Sequence, residues 1–314
     1  MIQRIQSQKC LASRFLRNGE VSQSHRYLSK ILSVAAIVLF TACSGSVNKD
    51  FQKPPHEEKP EQEIGNLYNK ADGSIRLVSY NVGSFAKYIK SIDMIAQMML
   101  ELKADAVCMN EVDSCTTRSD GLYQPKELAE KMGKWHYYFG KAIPSLGGSY
   151  GNAMVLSPQF KNLGTETMLI PKGQGAQVRS CAVFKTDKFI LLATHLDHTN
   201  DQARLDGVKL ITEWAKKYYG DSKTPVFLLG DMNCEPQDEP IVKFKEEWNL
   251  LSVQKNTFPS GSGQKAVKCI DFIFALKNNA KYEVTASDVP LRFNKGNVDT
   301  ASDHLPIYVD VKLK

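Results

Sequence analysis

The sequence lacks the features that define several large classes of protein. No two of its seven cysteines have the CxxC spacing, and only six of its 314 residues are histidine, so we expect no zinc site. Charged residues make up 24% and aromatic residues 9%, and glycine and proline are not in excess. This composition is typical of a folded globular protein and excludes a collagen, a coiled coil or a wholly disordered chain.

Excess positive charge is nearly absent from most of the chain. The formal charge is +6 overall, but residues 1–42 carry +5 of it and the remainder only +1. Phosphate contacts dominate nucleic-acid affinity, so a nearly neutral chain gives no support for a polyanionic partner. A nucleic-acid substrate stays open, because a local basic patch would not change the total.

Near the N-terminus, the uncharged apolar run Ile31–Phe40 is too short to span a bilayer as a helix, which takes about 20 residues. Basic residues precede the run and small residues follow it, as in a secretory signal. The residues before Cys43 resemble a bacterial lipobox, although Leu39 lies one position early. We expect a signal peptide over residues 1–42 and an exported protein anchored to a bacterial membrane by a lipid on Cys43, facing the periplasm or the cell surface. An ordinary signal peptide and a buried core helix are the alternatives.

Two further regions follow the signal segment. Residues 43–74 are rich in proline and glutamate and contain few large apolar side chains, so they cannot bury enough surface to offset the entropy of ordering; we expect a flexible tether. Residues 75–314 alternate strands and helices without a repeat or a second linker, which predicts one monomeric α/β domain built on two sheets.

Apolar periodicity and apolar runs predict the elements of this domain. The predicted helices are Ile89–Leu102, Lys126–Met132, Gln202–Tyr219 and Pro240–Trp248. The predicted strands are Ile75–Val82, Ala106–Met109, Trp135–Phe139, Asn152–Leu156, Thr167–Ile170, Val178–Lys185, Phe189–Thr194, Val226–Leu229, Ile270–Ala275 and Ile307–Val311.

Polar side chains cluster where the apolar runs end, which is where open α/β folds place their active sites. These residues are Asn81, Glu111, His195, Asp231, Asn233, Asp303 and His304. Each alone is more typical of a helix cap or a solvated loop. Asp271 lies inside an apolar strand, and a buried carboxylate needs a partner, for which His304 is a candidate.

The mixture of side chains favours metal-assisted hydrolysis of a phosphoester. Carboxylates with few histidine or thiolate ligands favour Mg²⁺ or Mn²⁺, and such an ion neutralises charge that develops on the phosphoryl group. A histidine oriented by a carboxylate can donate to the phosphoryl oxygens, and asparagines supply neutral donors.

Seven short motifs occur in an order that resembles a known family. They are SYNV (79–82), NEVD (110–113), YGNAMVLS (150–157), THLDH (194–198), GDMNCEP (230–236), IDFIF (270–274) and SDHLP (302–306). In these motifs the chain is similar to the endonuclease/exonuclease/phosphatase superfamily of metal-dependent phosphoesterases. The resemblance implies a four-layer α/β sandwich, in which two mixed β-sheets pack face to face between outer helices.

The resemblance also implies a role for each matching residue. The implied ligands of Mg²⁺ or Mn²⁺ are Glu111, Asn81 and Asp303. The implied catalytic residues are His304, Asp271, Asp231, Asn233 and His195: His304 pairs with Asp271, Asp231 orients or deprotonates the attacking water, and the other two contact the phosphate. Implied contacts to the substrate phosphate are Arg179, Tyr150 and Asn152. The chain departs from the pattern at Asn110, where relatives have glutamine, and at Gly83, where some repair nucleases have an acid.

The roles of three further residues stay open. Arg118 either contacts substrate or makes a surface ion pair, His198 is undecided, and a surface ion pair is expected for Arg204 on its helix. Together these features predict an exported, membrane-tethered Mg²⁺- or Mn²⁺-dependent phosphoesterase that cleaves a phosphodiester or a phosphomonoester. The alternatives are a secreted nuclease and a binding lipoprotein without catalytic activity on the same scaffold.

Overall fold

The computed structural model describes residues 67–314, which form two six-stranded mixed β-sheets. Strands are numbered in chain order. The first sheet contains β1 (Ile75–Asn81), β2 (Ala106–Ser114), β3 (His136–Ser145), β4 (Gly148–Leu156), β11 (Tyr282–Asp288) and β12 (Ile307–Leu313), in the order β11-β12-β1-β2-β4-β3. The second contains β5 (Asn162–Ile170), β6 (Arg179–Thr186), β7 (Ile190–His195), β8 (Val226–Asp231), β9 (Trp248–Leu250) and β10 (Asp271–Leu276), in the order β5-β6-β7-β8-β10-β9.

Helices cover the outer faces of both sheets. They are α1 (Ile92–Glu101), α2 (Gln124–Lys131), α3 (Asp201–Tyr219), α4 (Glu239–Glu247) and the short α5 (Val298–Ala301), with a 3-10 turn at Gly83–Phe85. Helices α1 and α2 contact each other and α2 contacts strands β2 to β4, whereas α3 and α4 pack together beside the second sheet. The predicted four-layer α/β sandwich is confirmed.

The alternation of side chains along a strand explains why the sheets pack on both faces. In β8, Phe227 and Leu229 belong to the core between the sheets, and Val226 and Leu228 belong to the core under α3 and α4. Successive residues of a strand point to opposite faces, so a strand that is apolar throughout is buried on both sides. The apolar strands that precede the candidate site residues are therefore the central, buried strands of the molecule.

The structure contains two strands that the sequence did not predict. Strand β11 is half-exposed at the edge of its sheet and carries few large apolar residues, and β9 has only three residues. Neither gives an apolar run long enough to be recognised. Strands β3 and β4 form a longer hairpin than predicted, and α1 begins at Ile92 rather than Ile89.

The ordered domain begins before residue 75. Residues 67–74 of the predicted tether are described and pack on the domain: the Tyr68 hydroxyl donates to the Arg292 carbonyl at 2.6 Å, and its ring lies 5.4 Å from that of Phe293. The predicted signal peptide and the tether up to residue 66 lie outside the described residues. Within residues 67–314, no helix is both long and apolar enough to cross a membrane.

A buried ion pair fastens this N-terminal segment. Arg76 is fully buried and donates to both carboxylate oxygens of Asp310, each at 2.6 Å. Its remaining N–H groups donate to the carbonyls of Tyr68, Asn69 and Leu102. Every donor of this buried guanidinium is used, so removing one partner would leave an unpaired buried charge, which is strongly destabilising.

Candidate active site

The site lies where strands of both sheets end. In the parallel pair β1 and β2, Asn81 lies opposite Asn110, and in the parallel pair β7 and β8, His195 lies opposite Asp231. The antiparallel partner β10 places Asp271 opposite Asp231 as well. Strand pairing alone therefore brings residues that are far apart in sequence to the same end of the strands in each sheet.

The amide of Asn81 links the two sheets at this edge. Its Nδ2 lies 3.1 Å from Glu111 Oε1, 3.1 Å from Asp231 Oδ2 and 3.4 Å from His304 Nε2. Its Oδ1 accepts from the backbone N–H of Gly83 at 3.2 Å. The structure thus brings Asn81, Glu111, Asp231 and His304 together, as the motifs predicted.

Unusual backbone conformations turn two carboxylates toward this point. The β-bulge of β2 between Met109 and Val112 contains Glu111, which has a φ of 56°. Asp231 follows Gly230, which has a φ of 156° and at which a Cβ would lie 1.8 Å from the Thr194 carbonyl oxygen. Bulges and left-handed residues are costly and cluster at functional sites.

His304 is held by a buried carboxylate. Its Nδ1 lies 3.0 Å from Asp271 Oδ2, which also accepts from the Thr257 hydroxyl at 2.6 Å. The ring of His304 lies 4.7 Å from the ring of Phe258. Burial alone would lower the pKa of His304, but the carboxylates of Asp271 and Asp231 outweigh it and raise this pKa to about 9. The arrangement favours an imidazolium aimed at the cavity, with its orientation fixed by Asp271.

The surroundings of Asp231 and His195 shift the pKa of each residue in the direction that favours its neutral form. Burial raises the pKa of Asp231, and Asp271 adds to the effect while His304 opposes it. Burial and the nearby Arg179 lower the pKa of His195, whose Nε2 lies 3.4 Å from Asp231 Oδ2. A carboxylate whose pKa is raised is suited to accept a proton from water near neutral pH.

These residues surround a cavity of about 240 Å³. Its lining includes most of the predicted site, and the lining residues are Glu111, Tyr150, Gln177, Arg179, His195, His198, Asp231, Asn233, Phe258, Ile270, Asp303 and His304. Asn233 has a φ of 51°, and its Nδ2 donates to the Leu196 carbonyl at 3.0 Å. Gln177, Phe258 and Ile270 were not predicted, because nothing in their sequence context marks them.

The donor set at one end of the cavity fits a hard divalent cation. Glu111 faces the cavity, and among residues 67–314 no Lys, Arg or His lies within ion-pair distance of its carboxylate. The carboxylate of Asp231 is close by, because Asn81 Nδ2 lies 3.1 Å from both Glu111 Oε1 and Asp231 Oδ2, and oxygen ligands suit Mg²⁺ or Mn²⁺. Asn81, which was predicted as a ligand, turns its Nδ2 toward these carboxylates and its Oδ1 toward the backbone N–H of Gly83, so it positions the carboxylates and does not present an oxygen to the cation. Asp303 lines the same cavity, where it pairs with Lys87 at 2.5 Å.

A second group with suitable spacing for a metal is formed by Asp231, Asp271 and His304, whose ligand atoms lie within 4.8 Å of one another. His304 Nδ1 already contacts Asp271, and a protonated His304 repels a cation. This group is therefore better suited to holding a proton than to holding the ion.

One predicted phosphate contact lies apart from the cavity. Asn152 is buried behind it, and its Nδ2 donates to the carbonyl of Ser180 at 2.7 Å. Its Oδ1 accepts from Asn110 Nδ2 at 2.8 Å. Because its amide is occupied in this way, Asn152 supports the site from within the fold and the structure does not bring it to the phosphate position.

Asn110, at the departure from the family pattern, is a positioning residue that the sequence analysis did not assign. Its Oδ1 accepts from the backbone N–H of Asp231 at 2.9 Å, and its Nδ2 donates to the Thr194 carbonyl at 2.7 Å. The side chain of one sheet thereby fixes the ends of two strands of the other. The feature of the sequence that could have identified Asn110 is its position between a buried strand and Glu111.

The three undecided residues have defined contacts. Arg118 makes two hydrogen bonds to the buried carboxylate of Asp113 and lies 5.7 Å from the centre of the Tyr150 ring. Arg204 pairs with Asp201, as expected, and also donates to the Asp197 carbonyl at 2.8 Å. His198 lines the cavity.

The profile of the Endonuclease/Exonuclease/phosphatase family matches residues 78–304, which include every residue of the centre described above. The chain belongs to this family. Its members hydrolyse phosphoesters, and this is the general kind of reaction to which the site is adapted. No protein of curated function matches the sequence.

Solved structures share the fold of this family member. A mannosyl-6-phosphatase from Bacteroides thetaiotaomicron has a TM-score of 0.62 and 18% identity, over 76% of this chain and 99% of that one. Zebrafish (D. rerio) TDP2, in complex with a single-stranded DNA product, has a TM-score of 0.58 and 16% identity, over 76% and 99%. The catalytic domain of human Nocturnin, with bound sulfate, has a TM-score of 0.57 and 19% identity, over 79% and 95%. At these identities the likeness is one of fold.

Proposed function

We propose that this family member is a Mg²⁺- or Mn²⁺-dependent phosphoesterase in which water attacks the phosphorus. The observation that carries the proposal is the convergence of Glu111, Asp231 and His304 on the single amide of Asn81. One cavity then offers a cation site, an acceptor for the proton of water and a donor for the phosphoryl oxygens.

Each side chain has a distinct part in this proposal. Glu111, with Asp303, would hold the cation, which supplies charge neutralisation at the phosphoryl group, and Asn81 positions the carboxylates of Glu111 and Asp231 through its Nδ2. Asp231 orients water and accepts its proton. His304, oriented by Asp271, donates to a phosphoryl oxygen or to the leaving group.

The test is hydrolysis by the purified protein of p-nitrophenyl phosphate, bis(p-nitrophenyl) phosphate, sugar phosphates, inositol phosphates, phospholipids and plasmid DNA. Each substrate is assayed with Mg²⁺, with Mn²⁺ and with EDTA. We expect release that requires the metal and that His304→Ala and Glu111→Ala abolish. Silence on every substrate by folded, metal-loaded protein would favour a binding protein without catalytic activity.

Metal binding has its own measurement. Titration of the protein with Mn²⁺, followed by the loss of the free-ion electron paramagnetic resonance signal, should show a site that Glu111→Gln weakens. Glu166→Gln is the matched control, because Glu166 lies on β5 and pairs with Lys185. Equal Mn²⁺ binding by Glu111→Gln and the wild type would contradict the assigned cation site.

The same panel of substrates tests the alternative that the protein is a nuclease. A nuclease would cleave plasmid DNA with a strong dependence on salt, since its affinity would come from phosphate contacts. The near-neutral charge beyond residue 42 does not favour it.

We further propose that the protein is exported and anchored through a lipid on Cys43, which the basic, apolar and small segments of residues 1–43 support. Mass spectrometry of the membrane-extracted protein should find an N-terminal diacylated cysteine, and Cys43→Ser should release the protein from the membrane fraction. Finding unprocessed or soluble wild-type protein would contradict this proposal.

A further inference from the structure

A lysine that no motif marked pairs with one of the carboxylates of the cavity. Lys87 Nζ lies 2.5 Å from Oδ2 of Asp303, which lines the cavity. Among residues 67–314, Lys87 is the only Lys, Arg or His within ion-pair distance of Asp303. The same ammonium attracts the Glu111 carboxylate from beyond ion-pair distance. Lys87 therefore places a positive charge beside the residues that are proposed to hold the cation.

The segment that carries Lys87 is tied to the rest of the domain on both sides. After the lysine, the Tyr88 hydroxyl donates to the Ser260 carbonyl at 2.8 Å. Before it, the Ser84 carbonyl accepts from Nε2 of Gln124, the first residue of α2, at 2.6 Å. The position of the lysine backbone is thus fixed, although its side chain is partly exposed.

The backbone immediately before Lys87 has an unusual conformation. Gly83, Ser84 and Phe85 have φ values of 49°, 57° and 52° in succession. Left-handed residues other than glycine are uncommon, and such strain persists only where the surrounding structure holds it. This turn is so tight that a Cβ at Gly83 would lie 3.0 Å from Lys87 Cβ.

The glycine at position 83 leaves the space beside Asp303 to the lysine. A Cβ at this position would lie 3.5 Å from Asp303 Oδ1 and 3.5 Å from Ser302 Oγ, so a side chain there would point toward the carboxylate. An acidic side chain would make a pair of carboxylates, whose oxygen atoms are the ligands that a divalent cation prefers. In this chain the place is taken by a residue without a side chain, and an ammonium occupies the other oxygen of Asp303.

An ammonium and a second divalent cation would compete for the same carboxylate. The ammonium of Lys87 uses Oδ2 of Asp303 and repels further positive charge nearby. It leaves Oδ1 of Asp303 for the one cation that Glu111 is proposed to hold.

We propose that Lys87 is a positioning residue whose ammonium takes the place of a second divalent cation at Asp303, so that the centre binds one divalent ion and not two. The ammonium also holds the Asp303 carboxylate in its orientation at the cavity. This inference rests on the proposed cation site and specifies how many ions that site takes and which residue limits the number.

The experiment counts bound Mn²⁺ by isothermal titration calorimetry and by the free-ion electron paramagnetic resonance signal. Wild type should bind one ion per chain. Lys87→Met should take up a second ion or bind the first about two- to fivefold more tightly, because a competing charge is removed. Lys87→Arg, which keeps the charge, should behave as wild type. Lys90→Met is the matched control, because Lys90 lies three residues away and pairs with the exposed Asp120; it should also behave as wild type.

A second background separates an effect through Asp303 from a general effect of charge. In Asp303→Asn, the further change Lys87→Met should leave Mn²⁺ binding unaltered, and circular dichroism should show that every variant is folded. Two ions in the wild type, no gain in Lys87→Met, or the same gain in both backgrounds would overturn the inference.

None of these measurements uses hydrolysis, so the phosphoesterase function is decided separately by the panel of substrates. If the wild type binds no Mn²⁺, the proposed cation site is wrong as it stands. Lys87→Met should then gain one ion, since it frees the carboxylate of Asp303, and the absence of any gain would overturn the inference about Lys87 as well.

Discussion

Replacing Asp271 with asparagine tests the part of the site on which catalysis most depends. The carboxylate contacts His304 Nδ1 at 3.0 Å and Thr257 at 2.6 Å through the same oxygen, Oδ2, while Oδ1 has no partner. Asparagine has the same shape, so the change removes the charge and one acceptor with little change in packing. Whichever way the new amide is turned, it cannot reproduce these contacts without leaving a buried N–H unpaired or reversing the histidine tautomer.

The magnitude follows from the contact that is lost. A hydrogen bond to a charged group contributes about 1.5 to 3 kcal/mol. At 1.36 kcal/mol for each factor of ten in rate, Asp271→Asn should lower kcat by roughly 10- to 150-fold. The buried unpaired N–H should also reduce the free energy of unfolding by about 1 to 3 kcal/mol, which leaves a folded protein to assay.

The assay is steady-state hydrolysis of whichever phosphoester the wild type cleaves, with circular dichroism and urea unfolding on the same preparations. Thr257→Val is the matched control, because it removes a contact to the same oxygen and leaves the pair of Asp271 and His304 intact. Its kcat should fall by less than about fivefold, as for one neutral donor. If Asp271→Asn keeps kcat within about threefold of wild type, or if Thr257→Val loses as much, the assignment of Asp271 as the residue that orients His304 is incorrect.

Three further predictions concern the fold around the site. Asp310→Ala should reduce the free energy of unfolding in urea by about 3 to 5 kcal/mol, because it leaves the buried Arg76 unpaired. A reduction below about 1 kcal/mol would mean that water or another group compensates. Burial raises the pKa of Asp197, but hydrogen bonds from Thr199 and Ala176 outweigh it and lower this pKa to about 2, from an ordinary value of 3.8. The contribution of Asp197 to stability is therefore present above pH 3.8 and is lost as the pH falls toward 2. Asp197→Asn should then reduce the melting temperature more at pH 7 than at pH 2.5, and an equal reduction at both would refute this. Gly230→Ala should lower both the melting temperature and activity, since its Cβ would lie 1.8 Å from a carbonyl oxygen of β7, and a normal melting temperature would show that the strand pair yields without cost.

Much of the fold could be predicted because the central strands are buried on both faces. An apolar run such as Val226–Leu229 leaves few alternatives, and the polar residue that ends it is easy to find. Edge strand β11 could not be predicted, since its half-exposed residues contribute little to the core and its pairing with β12 depends on backbone hydrogen bonds. The contact of Tyr68 with Arg292 could not be predicted for a related reason: it joins residues 224 positions apart.

The sequence predicts which residues make up the candidate site, but not which of them face the cavity and which support it from behind. Asn152 and Tyr150 lie two positions apart on β4 and looked equivalent, yet Tyr150 lines the cavity while Asn152 bonds to Asn110 and Ser180. The role of His198 could not be decided from the sequence, because His198 contacts Arg179, which lies on strand β6. Sequence identifies side chains with suitable chemistry, but which of them face the cavity is decided by packing between the sheets.

Because the site lies at the junction between two sheets, its geometry depends on how the sheets pack against each other. Asn81 bonds to the carboxylate of Asp231 and Asn110 bonds to its backbone N–H, so two residues of the first sheet fix one residue of the second. The distance between the proposed cation site and the proposed water-activating carboxylate is therefore set by how the sheets pack, through Phe227, Leu229 and their neighbours. Since packed interiors transmit small displacements and an ångström of misplacement is costly in catalysis, substitutions between the sheets should reduce turnover before they unfold the domain.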